Sequence, residues 1–218
     1  GPGATFWMIM AGILGMSTKF VECTLAVKYR QINADGSVSG GPMYYIKAAL
    51  DKYKLPVVGS ILALAFSVFV IFGSAGFVHV NQGFVQLKTV TGFDNAWLFG
   101  IIYALLVAAV IIGGLKSIAR VTSKLVPLMC GIYLVAAFFV MAAHASAIPA
   151  ALWLIVQSAF SPEAGYGGFI GVLIQGFRRA AYSNEAGIGS SPIAHAAAQV
   201  KDPVSQGFVG LLEPFIDT

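Results

Sequence analysis

Charged residues are scarce in this sequence of 218 residues: only 10% are charged, while 58% are hydrophobic. Soluble domains carry about 25% charged residues, so a soluble enzyme is the first class to be excluded. The 13 Lys and Arg and 9 Asp and Glu give a net charge of +4, which is too dilute for a nucleic-acid-binding surface. The sequence is instead rich in long apolar runs, with a mean hydropathy of +0.83. These features favour a protein that lies in a lipid bilayer.

Cysteine is also rare. Cys23 and Cys130 lie in apolar stretches, with no other Cys or His nearby at metal-ligand spacing. Neither a disulfide framework nor a zinc site is indicated, and both thiols are predicted to be small buried hydrophobic groups. An initiator Met and a basic leader are lacking, and an apolar run is cut off at Asp217 and Thr218. The sequence is therefore expected to be a piece of a longer membrane protein.

Three stretches are plainly long and apolar enough to cross a membrane, at residues 57–80, 96–115 and 125–143. Two weaker candidates are 5–29, which contains Lys19 and Glu22, and 168–200, which has a polar middle; a further apolar run begins at Gly207. Lys19 and Glu22 are spaced to neutralise each other on a protein-facing side. The pattern predicts an all-α membrane protein, with residues 1–218 forming one transmembrane domain.

The orientation follows from the Lys and Arg residues between these spans. The successive loops carry five, one, three and no Lys or Arg residues. The first and third loops are therefore predicted to be cytoplasmic. Within the first loop, residues 31–54, the apolar side chains from Pro42 onward follow helical spacing and predict a helix lying in the cytoplasmic interface.

The most informative stretch is the polar middle of the span 168–200. Gly187 and Gly189 weaken a helix there, while Ser190 or Ser191 is a candidate N-cap with Pro192 behind it. The sequence predicts a helix that stops near Tyr182 and restarts at Pro192. Such interruptions are tolerated at membrane depth where they line a cavity, and they mark the binding sites of secondary transporters. A simple kink buried by neighbouring helices is the alternative.

Other polar residues in apolar surroundings are candidates for the same site. Glu185 is expected to pair with Arg178, Arg179 or Lys19 in preference to binding an ion directly. His79 and Asn81 supply hydrogen-bonding groups near the outer end of their span and are candidates for a cavity wall, or for a solvent-facing helix end.

Several segments resemble the sodium:alanine symporter family, also described as alanine or glycine:cation symporters. They are residues 1–8 (GPGATFWM), 40–46 (GGPMYYI), 114–122 (GLKSIARVT) and, most strongly, 183–195 (SNEAGIGSSPIAH). The resemblance covers nearly the whole chain. Two positions depart from it: Tyr182 stands where Phe is common, and His79 where Gln is expected.

The resemblance implies a partial five-plus-five inverted-repeat amino-acid transporter fold with a broken sixth helix. The chain would run from the second helix into the start of the seventh, so the first and eighth helices that complete the site would be missing. The implied activity is symport of a small neutral amino acid, alanine or glycine, with Na⁺ as coupling ion across the cell (plasma or inner) membrane. The protein would be multi-pass, would not be an enzyme, and would need no cofactor, with the lipid bilayer rather than nucleic acid as its partner.

The candidate residues for substrate and Na⁺ binding lie mainly at the interruption of the helix. Tyr182, Ser183, Asn184, Gly187 and Gly189 are expected to bind substrate, together with His79 and Asn81 across the cavity. Ser183 and Asn184 are also expected to offer oxygens to Na⁺, while N–H groups around Gly187 and Gly189 meet the substrate carboxylate.

Two other functions are compatible with the composition. An intramembrane serine hydrolase would use Ser191 as nucleophile with His195 one turn later as base, although a Gly-x-Ser-x-Gly elbow is lacking. A channel is the other alternative, but no filter motif is found.

Overall fold

A computed structural model describes residues 1–73, 77–160 and 165–218. Its helices are α1 (Gly3–Lys28), α2 (Pro42–Lys52), α3 (Pro56–Gly73), α4 (Phe77–Thr91), α5 (Ala96–Ile111), α6 (Gly114–Ala143), α7 (Ile148–Phe160), α8 (Gly165–Asn184), α9 (Ser191–His195) and α10 (Pro203–Asp217). A short hairpin joins β1 (Gln31–Ile32) to β2 (Val38–Ser39), and a 3₁₀ turn covers Ala145–Ala147. Within these described ranges the protein is almost entirely helical, as the apolar runs predict.

The chain forms two compact units. The first comprises Gly1–Ser74 and Pro149–Thr218, and the second comprises Ala75–Ile148. In the first unit α1 is the central helix, packed chiefly against α10 and α8 and also against α9 and α2.

Small residues bring α1 and α10 close together. A Cβ atom on Gly207 would lie 2.1 Å from Thr24 Oγ1, and one on Gly210 would lie 2.5 Å from Cys23 Sγ. Because neither position has room for a side chain, the two backbones approach closely, as is common between membrane helices. Cys23 is fully buried at this contact, as predicted, but Cys130 on α6 is exposed, so the prediction of a buried thiol is wrong there.

Aromatic side chains join α7 to the start of α1. Trp7 Nε1 donates a hydrogen bond to the Ala159 carbonyl at 3.2 Å, and the Trp7 and Phe160 ring centroids lie 5.5 Å apart in an edge-to-face arrangement. The sequence analysis treated residues 144–165 as the fourth loop, which has no Lys or Arg. Within it Ile148–Phe160 is an apolar helix that was not predicted.

The predicted helix of the first loop is present as α2. Gly41, with φ of 122°, leads the chain from the hairpin into the helix, and Pro42 stands in its first turn. At the other end Lys52 Nζ donates a hydrogen bond to Tyr29 Oη at 3.1 Å, which lowers the pKa of that phenol. The α2 helix packs against α3. The hairpin that precedes it pairs Gln31 with Ser39 and was not predicted.

The second unit contains α4, α5 and α6. The predicted span 96–115 ends as a helix at Ile111, and α6 begins at Gly114 instead of near Leu125. The three basic residues assigned to the third loop therefore lie on the first turns of α6. Lys and Arg are good helix formers, and α6 runs through them into the apolar part, with Pro127 inside the helix.

Among the described residues, three stretches are long and apolar enough to cross a membrane: Gly3–Lys28, Pro56–Thr91, of which residues 74–76 lie outside the described ranges, and Lys116–Ala143. Large apolar side chains cover their outer surfaces; Phe139, for example, is 75% exposed and Leu64 is 67% exposed. Soluble proteins do not expose apolar surface on this scale, so these helices are suited to lipid or to packing against further helices.

Candidate functional site

The interruption of the helix lies where the sequence predicts it. The α8 helix ends at Asn184 and α9 begins at Ser191. Between them Glu185, Gly187 and Gly189 have φ of 53°, 84° and 83°. This left-handed conformation costs an L-residue about 1–2 kcal/mol, which explains why two of the three positions are glycine. Glu185 adopts it in spite of its side chain, and strained residues of this kind cluster at functional sites.

The second half of the broken helix is shorter than expected. The sequence analysis continued it to Val200, but α9 ends at His195. Arg30 binds the backbone that follows α9. Its guanidinium donates hydrogen bonds to the carbonyls of Ala196 at 3.0 Å and Ala198 at 2.5 Å. A fork of donors on an arginine suits such a run of carbonyl groups.

Asn184 closes the first half of the helix. Its side chain is 2% exposed. Its Nδ2 donates to Thr218 Oγ1 at 3.2 Å, and its Oδ1 accepts from the Ala186 N–H at 3.0 Å. Asn184 therefore links the end of α8 both to the loop that follows and to the end of α10. Its side-chain oxygen has a second lone pair in addition to the one used by Ala186.

The two serines do not cap α9 as predicted. Ser190 stands at the N-cap position without a side-chain capping bond, and its Oγ donates to Glu185 Oε2. Ser191 Oγ donates instead to Glu213 Oε2 at 3.2 Å. Each hydroxyl has a carboxylate within reach, and hydrogen bonds to charged groups are stronger than a neutral capping bond.

The ion pairs that the sequence predicts for Glu185 and Lys19 are not those found in the structure. Glu185 binds Ser190 and is not in an ion pair with a described residue, while Arg178 and Arg179 are exposed on α8. Lys19 does not pair with Glu22; its Nζ lies 3.2 Å from Glu213 Oε2. Neighbours one turn apart on a helix were the obvious partners, but a carboxylate from another helix reaches the buried ammonium.

Glu22 has a different partner at the break. Its Oε2 accepts a hydrogen bond from the Gly187 N–H at 3.3 Å. The α1 helix thus contributes two charged side chains one turn apart, of which Glu22 contacts the loop and Lys19 contacts Glu213. The N–H of Gly187, expected to be free for a substrate, donates to an internal carboxylate here.

A small cavity of about 190 Å³ lies between α1 and the end of α8. Its walls are mostly Ala, Gly and Thr side chains, with Asn184 among them; the lining residues are Ala11, Leu14, Gly15, Thr18, Phe177, Ala180, Ala181, Asn184 and Ala186. The volume is roughly that of six molecules of liquid water. A cavity of this size and lining accommodates only a small group.

The structure brings together only part of the predicted set. Asn184 and Gly189 are buried at the break, Gly187 is at its surface, and Tyr182 and Ser183 are exposed on the last turn of α8, Tyr182 by 60%. His79 and Asn81 lie on α4 in the second unit, where both side chains are exposed.

Three residues at or next to α10 were missed by the sequence analysis. Glu213 and Gln206 contact α9, and Thr218 contacts Asn184. Glu213 had a detectable signal, because a carboxylate inside an apolar run is expensive in a membrane and marks function by default. Gln206 and Thr218 had none, since polar residues near a helix end are common.

The geometry does not favour the hydrolase. Ser191 Oγ donates to Glu213, and His195 Nδ1 lies 2.6 Å from Gln206 Nε2, so each group has a partner other than the one that nucleophilic catalysis needs. A helix broken at glycines beside buried charged and amide side chains is instead the arrangement typical of secondary transporters.

Comparison with known proteins agrees with that class. The sequence profile described as the sodium:alanine symporter family matches residues 1–218, and the chain belongs to this family. It is a family of transporters.

Curated relatives match the chain over its full length. The sodium/alanine symporter AgcS of Methanococcus maripaludis is 40% identical over 222 residues, which cover 100% of this chain and 48% of that protein. The amino-acid carrier protein AlsT of Bacillus subtilis is 39% identical over 225 residues, covering 100% of this chain and 46% of that protein. The probable sodium/glutamine symporter GlnT of the same organism is 36% identical, covering 100% and 45%. The chain spans about half the length of these relatives.

Proposed function

We propose that the protein of which this chain is part is a secondary transporter that moves a small neutral amino acid, alanine or glycine, together with Na⁺. The observation that carries the proposal is the interrupted helix, in which the buried Asn184 ends one half and a glycine-rich loop leads to the other. The two ends of such a break offer a cation and a carboxylate complementary partners, because one exposes carbonyl groups and the other N–H groups.

In this mechanism Na⁺ binds near the end of α8. Ser183 and Asn184 offer backbone carbonyl and side-chain oxygens, which are the donors that a hard cation prefers. The rest of the ion site comes from the eighth helix of the family fold, which this chain does not contain. One Na⁺ moving down about 100 mV supplies roughly 2.3 kcal/mol, close to a fifty-fold concentration ratio of the amino acid.

The substrate carboxylate meets the N–H groups around Gly187 and Gly189. The Gly187 N–H donates to the Glu22 carboxylate in this structure, so the substrate carboxylate takes the place of Glu22 at this amide when it binds. The substrate ammonium faces the carbonyl groups at the end of α8. The small cavity beside Asn184 supports a substrate with a short side chain. Tyr182, on the last turn of α8, contributes to the substrate's surroundings.

The remaining features follow the family fold. The chain corresponds to the second helix through the start of the seventh in a five-plus-five inverted repeat, multi-pass in the cell (plasma or inner) membrane, with residues 31–54 on the cytoplasmic side. The first and eighth helices complete the site, and no cofactor takes part. Rocking of one helix bundle about the other gives alternating access.

Sodium-driven uptake in liposomes tests the proposal. The full-length protein is reconstituted, and labelled alanine uptake is measured with an inward Na⁺ gradient, with equal Na⁺ on both sides and with K⁺ in place of Na⁺. Unlabelled glycine and glutamine serve as competitors. We expect uptake only with the Na⁺ gradient, and we expect glycine to compete better than glutamine.

The variant Asn184→Ala should abolish uptake. Asn33→Ala is the matched control, because Asn33 lies in the exposed hairpin, where its Nδ2 donates only to Ser37 and Ser39. Uptake that is independent of Na⁺, or full activity of Asn184→Ala, would contradict the proposal. Flux that does not saturate with alanine would indicate a channel instead.

A further inference from the structure

One carboxylate oxygen of Glu213, on α10, contacts side chains of two other helices. Glu213 Oε2 lies 3.2 Å from Lys19 Nζ of α1, accepts from Ser191 Oγ at 3.2 Å, and lies 3.7 Å from His195 Nε2. Ser191 and His195 are the first and last residues of α9. Glu213 is therefore the point at which α1, α9 and α10 meet.

The short helix needs such an attachment. With five residues, α9 is far below the length at which a helix is stable by itself in water. Both ends of α9 reach Glu213. Gln206, about two turns earlier on α10, also contacts α9, because its Nε2 lies 2.6 Å from His195 Nδ1. The position of α9 relative to α1 thus depends on side chains of α10.

Lys19 makes the arrangement sensitive to charge. Its side chain is 0% exposed, and within the described residues its Nζ has no aligned hydrogen bond in addition to the ion pair with Glu213. Removing one member of a buried ion pair leaves the other charge uncompensated, whereas replacing both with apolar or neutral groups is often tolerated.

We propose that Glu213 is a positioning residue for transport: its carboxylate holds the second half of the interrupted helix against α1 through Ser191 and His195, with Lys19 as the counter-charge. The inference rests on the proposed function, since it concerns how the break is kept in a binding-competent geometry. Glu213 acts through α9 and not by touching the substrate. Glu213 then has two roles, as the counter-charge of Lys19 and as the residue that positions α9, and mutations can distinguish them.

The experiment compares Glu213→Gln, Lys19→Met and the double variant in the full-length protein. Glu213→Gln should lower the apparent melting temperature because Lys19 is left buried without its counter-charge. The double variant should recover the melting temperature of the unmodified protein. Its KM for alanine should nevertheless be raised about tenfold, because a neutral amide oxygen accepts a weaker hydrogen bond from Ser191 than a carboxylate does. Lys19→Met alone should keep a KM near that of the unmodified protein, because the Glu213 side chain is 42% exposed, stays solvated without Lys19 and still contacts Ser191 and His195.

A second measurement does not depend on transport. Hydrogen exchange of the backbone amides in residues 185–198 should be faster in Glu213→Gln and in the double variant, and nearly unchanged in Lys19→Met. Asp217→Asn is the matched control, because it neutralises an exposed acid one turn later on α10. It should alter neither exchange nor KM.

The outcomes separate the two proposals. A double variant with unchanged KM and unchanged exchange in residues 185–198 would overturn the positioning role and leave Glu213 as a counter-charge alone. If the unmodified protein shows no Na⁺-driven uptake, the proposed function fails, while the exchange measurements still decide whether Glu213 holds α9.

Discussion

Alanine substitutions at Gly187 and Gly189 separate the two physical requirements of the break. Both residues have φ near +84°, so both substitutions cost about 1–2 kcal/mol in backbone strain. They differ in available space. A Cβ at Gly187 would meet only Thr18 Cγ2 at 3.8 Å, an ordinary contact, whereas one at Gly189 would lie 2.8 Å from Phe66 Cε2 and 2.9 Å from Pro42 Cγ.

The clash at Gly189 adds an overpacking cost of about 1–3 kcal/mol. We therefore expect Gly189→Ala to destabilise the protein by about 2–5 kcal/mol and Gly187→Ala by about 1–2 kcal/mol. Gly36→Ala provides the control for strain alone, because Gly36 has φ of 76° in the exposed hairpin and no atom lies within 4 Å of its Cβ position.

The assay is the apparent melting temperature of the full-length protein in detergent. It is measured as the temperature at which half of the monodisperse fraction is lost. Because such unfolding is irreversible, the variants are compared by the order of their melting temperatures, and no free energy is calculated from the heating curves. We expect Gly189→Ala to melt lowest, with Gly187→Ala and Gly36→Ala close together above it. Sodium-driven uptake should fall in both break variants but not in Gly36→Ala.

Equal melting temperatures for Gly187→Ala and Gly189→Ala would refute this reasoning. That result would mean that the break does not pack against Phe66 and Pro42. A Gly189→Ala protein with normal stability and normal uptake would show, in addition, that the left-handed conformation is not required.

Three further predictions concern single contacts. Asn184→Ala should destabilise the protein by about 1–3 kcal/mol, seen as a lower melting temperature, because the partners at Thr218 and Ala186 lose their bonds; an unchanged value would contradict its buried role. Arg30→Ala should speed hydrogen exchange in residues 196–202 more than Arg30→Lys does, since lysine keeps the charge but not the fork of donors; equal rates in the two variants would show that the hydrogen bonds do not hold this segment. Trp7→Phe should cost about 0.5–1.5 kcal/mol by removing the bond to the Ala159 carbonyl, and an unchanged stability of Trp7→Phe beside a destabilised Trp7→Ala would mean that the ring and not the N–H is what matters.

The position of the break was predictable because it depends on local chemistry. Gly187, Gly189 and Pro192 disfavour a continuous helix whatever surrounds them. The extent of the second half was not predictable, because residues 196–200 include three alanines and have good helix propensity. Their carbonyl groups instead accept from Arg30, a residue more than 160 positions earlier in the chain.

The partners of the polar residues were the least predictable part. Lys19 and Glu22 are neighbours on one helix, and the sequence pairs them by spacing. In the structure they contact different elements, because Lys19 pairs with Glu213 of α10 and Glu22 accepts from the Gly187 N–H of the break. An intramembrane charge needs a partner, but which one it finds depends on helices that are distant in the chain.

The amino-acid sequence alone determined the helical class, the long apolar segments and the location of the interrupted helix, since these depend on composition, periodicity and the backbone preferences of Gly and Pro. The tertiary structure decided that Glu213 joins three helices, that Glu22 contacts the loop, that Asn184 binds Thr218, and that the serines bind carboxylates and do not cap α9. The physical reason is that secondary structure is favoured by neighbours along the chain, whereas hydrogen bonds and ion pairs are satisfied by whichever groups the close packing of α1, α8 and α10 brings within about 3 Å.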